Sequence, residues 1–154
     1  MEIDFSTLRP AECYKVLSSL VTPRPIAWVS TMDEAGVVNA APFSFFNCFG
    51  SNPPVLAFAP GNKSPGLPKD TARNIRNNRE FVVNMADEAL AEKMVETSAC
   101  LPHGESELEA TGLTAAPSSS IAVPRIAEAP VAFECREWAT LEIGSNRMVV
   151  GTVH

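Results

Sequence analysis

Lys69-Asp70-Thr71 combines residue types that could hold an anion, and we place it at the start of a short helix with Asp70 as the N-cap. Unpaired backbone N–H groups and partial positive charge collect at a helix N-terminus. A lysine and a threonine hydroxyl at that position therefore predict a phosphate site, whose positive potential Arg73 and Arg76 would raise. An ordinary capped surface helix with solvated charges would show the same local pattern, so both interpretations stay open.

The segment 39–44, Asn39-Ala40-Ala41-Pro42-Phe43-Ser44, could receive a flat, partly polar ring. Its small residues would let a ligand approach the backbone, its serine offers a hydroxyl, and the aromatic residues Phe43, Phe45 and Phe46 would form an apolar wall. Ligand sites commonly combine apolar surface with a few placed polar groups. The alternative is a core strand that ends or bulges at Pro42, because proline cannot donate to a sheet.

A third segment, 22–31, carries Arg24 between two prolines and ends with the hydroxyls of Ser30 and Thr31. The prolines hold the backbone around Arg24 extended. These side chains could line a ligand site, and a β-strand with a polar end is the alternative interpretation.

The composition predicts one domain over residues 1–154. The chain is 45% hydrophobic and 19% charged, which is enough apolar material for a core. Its net charge of −6 and the lack of a basic stripe argue against nucleic acid as a partner. No apolar stretch is long enough to span a membrane, and the acidic start does not resemble a signal peptide. We therefore expect a soluble, cytoplasmic protein that does not bind membranes.

Cysteine spacing argues against metal and disulfide chemistry. The four cysteines form no CxxC pair and no histidine pair accompanies them, so no metal site is expected. We predict buried thiols at Cys13, Cys100 and Cys135, whereas Cys48 is either a buried thiol or a ligand-site residue. The carboxylates of residues 87–110 and His103 are expected to be solvated. The sequence also lacks the glycine-rich Rossmann and Walker motifs and the GxSxG motif.

Hydrophobic periodicity predicts a mainly β protein with peripheral helices. Strands are expected at 25–31, 37–44, 55–59, 80–84, 131–143 and 147–153, helices from Pro10 and at 69–75 and 87–95, and a mobile connector at 101–120. Short connections favour antiparallel pairing, and a closed or partly open barrel is the natural architecture.

Six segments in order resemble the flavin reductase-like family, which includes the flavoredoxins. They are 24–31, 39–47, 52–54, 69–71, 74–75 and 80–84. The resemblance implies an antiparallel FMN-binding split barrel, with FMN held non-covalently at the interface of a homodimer. Members of this family usually continue past the position equivalent to His154, so we expect this chain to lack part of the barrel edge and interface.

The resemblance also implies roles for individual residues. Lys69, Asp70 and Thr71 are expected to hold the phosphate, and Thr31 with segment 39–44 to lie against the ribityl chain and the isoalloxazine ring. Cys48 and Lys93 fall where relatives have residues near the flavin. A cation near the flavin N1 and O2 would stabilise the reduced anion, which makes Lys93 a candidate for tuning the flavin potential.

Three functions follow as hypotheses. The first is an FMN-dependent oxidoreductase that takes hydride from NAD(P)H and reduces free flavin or another acceptor. The second is an electron-transfer protein that exchanges electrons with a redox protein partner and has no nicotinamide site. The third is an oligomeric binding module that has lost its flavin.

Overall fold

The computed structural model describes residues 2–64 and 66–154. Within these ranges the helices are α1 (Pro10–Leu20), α2 (Asp70–Asn78), α3 (Ala91–Glu96) and α4 (Glu107–Ala110). The strands are β1 (Ala27–Met32), β2 (Val38–Phe43), β3 (Phe46–Ser51), β4 (Pro54–Phe58), β5 (Asn62–Ser64), β6 (Leu67–Pro68), β7 (Glu80–Met85), β8 (Ala115–Ala116), β9 (Arg125–Ile126), β10 (Val131–Ile143) and β11 (Asn146–Val153).

A seven-stranded sheet forms the centre of the fold, in the order β2-β1-β7-β10-β11-β4-β3, and its strand pairs are antiparallel. Its edge strands β2 and β3 are consecutive in the chain, and only Ser44 and Phe45 separate them. Three Cα-to-Cα steps reach at most about 11 Å, so the sheet must curl until its two edges come close. The result is an open antiparallel barrel, which confirms the predicted fold class.

Pro42 neither ends nor bulges β2, so that prediction was wrong. Pro42 lies opposite Trp28, and the register runs without a shift from Val38 opposite Met32 to Phe43 opposite Ala27. Because β2 is an edge strand, the missing N–H of the proline can face away from the sheet.

The main core fills the inside of the curled sheet. Phe43, Phe58 and Phe81 form a chain of rings with centroids 5.3 and 5.4 Å apart. Ile75 of α2 belongs to the same cluster and is 1% exposed. Burial of Ile75 and of neighbouring Ala72 fixes α2 against the barrel, which sets the position of its N-terminus.

The connector predicted at 101–120 is a structured part of the fold. It contains α4 and β8, and Leu108 and Leu113 pack with Trp28 in a second core cluster. Ser106 caps α4 and also donates to the Val38 carbonyl at 2.6 Å, which ties this segment to β2. Because most of this segment is polar, the sequence did not indicate that its few apolar residues anchor it.

Two other predictions are corrected. Residues 46–51 form strand β3, which sequence periodicity missed because most of its side chains are exposed. The helix predicted at 87–95 is a 3-10 turn, Glu88–Leu90, followed by α3, with Asp87 as the cap and Val95 exposed.

Of the three cysteines predicted to be buried thiols, Cys13, Cys100 and Cys135, one is fully buried. Cys135 is buried as expected, and burial raises the pKa of its thiol to about 12. Cys13 is half-buried, whereas Cys48 and Cys100 are exposed, so the buried-thiol prediction was wrong for Cys100. No helix within residues 2–64 and 66–154 has the length and apolar character needed to cross a membrane.

Candidate functional site

The N-terminus of α2 borders the site, but its cap is not the predicted one. Lys69 is the N-cap residue and its side chain makes no capping hydrogen bond, while Asp70 is the first helical residue. The Asp70 carboxylate instead accepts a hydrogen bond from Lys63 Nζ at 2.6 Å and lies 3.1 Å from His103 Nδ1. His103 is therefore not simply solvated, because it pairs with Asp70 across 33 residues of sequence.

These partners set the charge of Asp70. Burial alone would raise the pKa of this carboxyl, but the hydrogen bonds and positive charges of Lys63 and His103 outweigh burial and hold the pKa below its ordinary value. Asp70 is therefore ionised at neutral pH. Its charge is largely compensated by Lys63, which leaves Lys69 without a carboxylate partner among the described ion pairs.

A small polar pocket of about 40 Å³ opens at this helix end. Its walls come from β2, the start of α2, α4 and the segment that follows α3. Its lining residues are Asn39, Ala41, Pro42, Lys63, Lys69, Asp70, Thr71, Thr97, Ser98, Ala99, Cys100, Leu101 and Glu107. Lysine ammonium groups, hydroxyls and a helix N-terminus are all groups that bind phosphate oxygens.

Asn39 is the centre of a buried hydrogen-bond network behind this pocket. Its Oδ1 accepts from Thr71 Oγ1 at 3.0 Å and from Thr31 Oγ1 at 3.3 Å. Its Nδ2 donates to Glu107 Oε2 at 2.7 Å, and Asn74 Nδ2 donates to Thr31 Oγ1 at 3.1 Å. The network joins β1, β2, α2 and α4, so it fixes the walls of the pocket relative to one another.

Glu107 was expected to be solvated, and the structure shows that this is wrong. Its residue is 6% exposed, and its Oε2 accepts from Asn39 Nδ2 and from the Ala40 backbone N–H at 3.2 Å. Burial raises the pKa of Glu107 above its ordinary value, the charge of Asp70 adds to the increase, and the hydrogen bonds oppose it.

An aromatic cleft of about 340 Å³ adjoins the polar pocket, and Pro42 and Lys69 line both. Its other lining residues are Tyr14, Phe43, Ser44, Phe45, Ala59, Pro60, Gly61, Asn62, Asn146 and Arg147. Lys69 Nζ lies 5.3 Å from the centroid of the Phe43 ring, and the Tyr14 and Phe45 centroids are 5.8 Å apart. Lys69 therefore lies where the aromatic cleft meets the polar pocket.

Arg24 does not line this cleft but contacts two residues that do, Ser44 and Phe45. Its Nε donates to Ser44 Oγ at 3.3 Å, and its guanidinium lies 5.8 Å from the Phe45 centroid. It also donates to the carbonyls of Ser18 and Val21 at the end of α1. A cation at a helix C-terminus is favourable, so Arg24 anchors α1 beside the cleft.

Three of the predicted site residues lie beneath the surface of the site. Ser30, Thr31 and Ala40 are each 0% exposed. Ser30 Oγ donates to the Pro124 carbonyl at 2.7 Å, and Thr31 bonds within the Asn39 network. In this structure they position the walls, whereas Asn39, Ala41, Pro42, Phe43, Ser44, Lys69, Asp70 and Thr71 line the pocket or the cleft.

Cys48 and Lys93 lie apart from both chambers. Cys48 is exposed on β3, and its backbone N–H donates to Asn47 Oδ1 at 2.8 Å. Lys93 Nζ, on α3, donates to the Gly112 carbonyl at 3.3 Å. Neither side chain lines the polar pocket or the aromatic cleft of this chain.

Sequence reasoning missed Lys63, Glu107 and the segment 97–101 as parts of the site. The basic composition of residues 61–79 was a signal for Lys63. Glu107 and residues 97–101 reach the pocket only because α3 and α4 pack against β2, which no local pattern encodes.

The model of the flavin reductase-like domain family matches residues 18–154. The chain belongs to this family. Family membership makes it a flavin-associated oxidoreductase and confirms the resemblance seen in the sequence.

Solved structures agree with this assignment. Nitrilotriacetate monooxygenase component B from Bacillus cereus has a TM-score of 0.95 at 34% identity, with 99% of this chain and 78% of that chain covered. The 2-nitrobenzoate 2-nitroreductase of Pseudomonas fluorescens has a TM-score of 0.89 at 38% identity, covering 99% and 74%. A candidate flavin reductase with a split barrel domain from Shewanella frigidimarina has a TM-score of 0.85 at 23% identity, covering 100% and 78%, and shows the fold alone.

Proposed function

We propose that this protein binds FMN and passes hydride or electrons from NAD(P)H through the flavin to free flavin or another acceptor. The observation that carries the proposal is the aromatic cleft joined to the polar pocket at the N-terminus of α2, with Lys69 lining both. The family places flavin chemistry in this protein, and this pair of chambers has the chemistry to receive it.

The residues fit the two parts of FMN. The aromatic cleft offers Tyr14, Phe43 and Phe45 as apolar surface for the isoalloxazine ring. The polar pocket offers Lys69 and the first N–H groups of α2 to the phosphate. The bound flavin would supply the redox chemistry, and the protein would set its orientation and its electrostatic surroundings.

The donors in the polar pocket can be assigned. The Thr71 hydroxyl donates its proton to Asn39, so Thr71 would bind phosphate through its backbone N–H and not through its hydroxyl. Lys69 is the cation that would bind the phosphate, because Lys63 is paired with Asp70 at 2.6 Å. Glu107 lines the same pocket, so an incoming phosphate would also meet its carboxyl group.

A homodimer is part of the proposal. Exposed apolar side chains line a second cleft of about 420 Å³, which we call the apolar face. It shares Phe45, Ala59, Asn146 and Arg147 with the aromatic cleft. Leu17 is 45% exposed, Phe49 67% and Ile143 72%. Contiguous exposed apolar surface of this kind is typical of an interaction site. A second copy of the chain bound there would also cover the aromatic cleft.

Three finer statements belong to the same proposal. The chain acts as one domain, and it works in the cytoplasm. Cys48 and Lys93 tune the flavin, which would require contact from a second copy, since neither lines the cleft of its own chain.

A visible absorption spectrum of the purified chain, followed by FMN and then NADH without oxygen, tests the function. Flavin absorbance that binds to the protein and bleaches with NADH or NADPH supports the oxidoreductase. Bound flavin that only a redox protein or a chemical reductant bleaches would replace the nicotinamide part of the proposal with electron transfer. Failure to bind FMN would leave only an oligomeric module with this fold.

A further inference from the structure

The segment between α3 and α4 forms one wall of the polar pocket. It consists of residues 98–105, which we call the strap, and the residues on either side of it, Thr97 and Ser106, are both buried. Within the described part of the chain, four strap residues line the polar pocket but not the aromatic cleft: Ser98, Ala99, Cys100 and Leu101. The strap therefore bounds the phosphate end of the candidate site alone.

Hydrogen bonds fix both ends of the strap. Thr97 Oγ1 accepts from Trp28 Nε1 at 2.9 Å and donates to the Met94 carbonyl at 2.7 Å. At the other end, Ser106 Oγ donates to the Val38 carbonyl at 2.6 Å. Trp28 and Met94 belong to the second core cluster, so any opening of the strap must take place between its two ends.

Two polar contacts hold the middle of the strap against α2 and β5. His103 Nδ1 lies 3.1 Å from Asp70 Oδ1, and because Asp70 is ionised this nitrogen is the donor. Lys63 Nζ donates to the Leu101 carbonyl at 3.4 Å. The His103 side chain is 46% exposed, and contacts between exposed charged groups contribute little stability. The middle of the strap is therefore held less firmly than its ends.

The polar pocket has room for one phosphate group while the strap is closed. Its volume is about 40 Å³, and one water molecule needs roughly 10–15 Å³ of such a volume, so the pocket holds about three water-sized groups. A terminal phosphate brings three oxygens beyond its ester link. A pyrophosphate adds a second phosphorus and further oxygens, which exceed this volume.

Charge in the pocket also suits a single phosphate. Lys69 is the lining cation without a carboxylate partner among the described ion pairs, since Lys63 is paired with Asp70. Asp70 and Glu107 bring two carboxyl groups to the same lining. A second phosphate would therefore meet carboxyl groups and find no unpaired lysine.

We infer that the strap makes the site select a flavin whose phosphate is terminal, the mononucleotide, over a flavin dinucleotide. The inference rests on the proposed function, because it takes the polar pocket as the flavin phosphate site. The Asn39 network fixes the walls from β2, α2 and α4, so the second phosphate and the adenosine of a dinucleotide need the strap to open. The apparent affinity for the dinucleotide falls by the fraction of molecules that are open, and His103 keeps that fraction small.

Calorimetric titration of the full chain with FMN, FAD and riboflavin tests this selection. A minor conformation is commonly populated at about 10% or less, so the native chain should bind FMN at least about tenfold more tightly than FAD. His103→Ala should reduce this ratio by about three- to fivefold, the effect of one exposed ion pair, through tighter binding of FAD. Riboflavin, which has no phosphate, should bind both chains alike.

Two further variants separate the contact of His103 from general charge. His103→Asn can place its amide nitrogen close to the position of Nδ1, so it should keep the native ratio of FMN to FAD affinity. Glu105→Gln removes a charge at an exposed position of the strap and should keep the native ratio too. A ratio reduced equally in E105Q and H103A would contradict the role of His103.

The outcomes also separate this inference from the proposed function. Equal affinities of the native chain for FMN and FAD, or an unchanged ratio in H103A, would overturn selection by the strap while flavin binding stands. Failure of all three flavins to bind would overturn the proposed function, and the selection with it. A ratio that falls in H103A and is kept in H103N and E105Q supports the inference.

Discussion

The side-chain amide of Asn39 donates a 2.7 Å hydrogen bond to Glu107, which lies 68 residues further along the chain. The bond joins an edge strand to a four-residue helix in a segment of polar composition. It fixes the orientation of the Asn39 side-chain amide. The Oδ1 atom of that amide in turn accepts a hydrogen bond from Thr71 Oγ1 at the start of α2. One buried carboxylate therefore orders the wall of the polar pocket.

Glu107→Gln should strengthen FMN binding at pH 7, by about 1 kcal/mol or roughly fivefold, because it removes a negative charge near the phosphate. The glutamine oxygen can still accept from Asn39 and Ala40. Fluorescence titration with FMN measures the change, and riboflavin, which has no phosphate, should bind the variant and the native chain alike. An equal gain for riboflavin would contradict the electrostatic explanation.

The same substitution should make stability depend less on pH. The folded-state pKa of Glu107 is raised, so the native protein loses stability as pH rises through that pKa. Glutamine resembles the protonated carboxyl, so E107Q should unfold at a higher urea concentration than the native protein at pH 8. Below about pH 4, the ordinary pKa of a carboxyl, both proteins should unfold at the same urea concentration. E107A, which leaves Asn39 without its acceptor, should be destabilised at both pH values.

Lys69→Ala should weaken FMN binding at least tenfold, because a charge-assisted hydrogen bond contributes about 1.5–3 kcal/mol. Arg73→Ala is the control, since it removes a cation from the exposed side of the same helix. Isothermal titration with FMN and with riboflavin measures both variants. A comparable loss in R73A would mean that the general charge of the region, and not the position of Lys69, holds the phosphate.

Phe49→Glu should dissociate the proposed homodimer. Phe49 is 67% exposed on β3, so a charge there does not disturb the core of one chain but would be buried without a partner at the interface. Sedimentation velocity reports the oligomeric state. Val95→Glu is the matched control, because Val95 is 62% exposed on α3, away from the apolar face. A dimer that persists in F49E would place the interface elsewhere.

Gly151→Ala should destabilise the fold by about 1–3 kcal/mol, as overpacking does. A Cβ at Gly151 would lie 2.5 Å from the Phe81 ring and 3.2 Å from the Arg136 carbonyl, and Phe81 is fully buried. At Gly50 the nearest atom would be 3.5 Å away, so Gly50→Ala should change stability by less than about 0.5 kcal/mol. Urea unfolding measures the stabilities of both variants. Equal stabilities would show that Phe81 can move.

The cysteines should differ sharply in reactivity. Burial raises the pKa of Cys135 to about 12, so almost no thiolate exists at pH 8 and an aromatic disulfide reagent should not label it in the native protein. Cys48 and Cys100 are exposed and should react. Because Cys100 lines the polar pocket, FMN should protect it and leave Cys48 reactive. Labelling of Cys135 at the same rate would contradict the buried core position.

The sequence by itself determined the elements that depend on local chemistry. Alternation of apolar and polar residues in 131–143, prolines around α1 and the basic start of α2 are all short-range signals, and they predicted the mainly β fold and the helix that begins near residue 69. The ordered series of motifs predicted the family, which the family match confirmed.

Only the tertiary structure decided which side chains meet. Asp70 pairs with Lys63 and His103, and Glu107 reaches Asn39, because the curled sheet brings separate segments to the N-terminus of α2. Burial also reversed the expectation for Glu107 and placed Ser30 and Thr31 behind the site. Residue types carry local propensity, whereas exposure and partners follow from packing between segments that lie far apart in the chain.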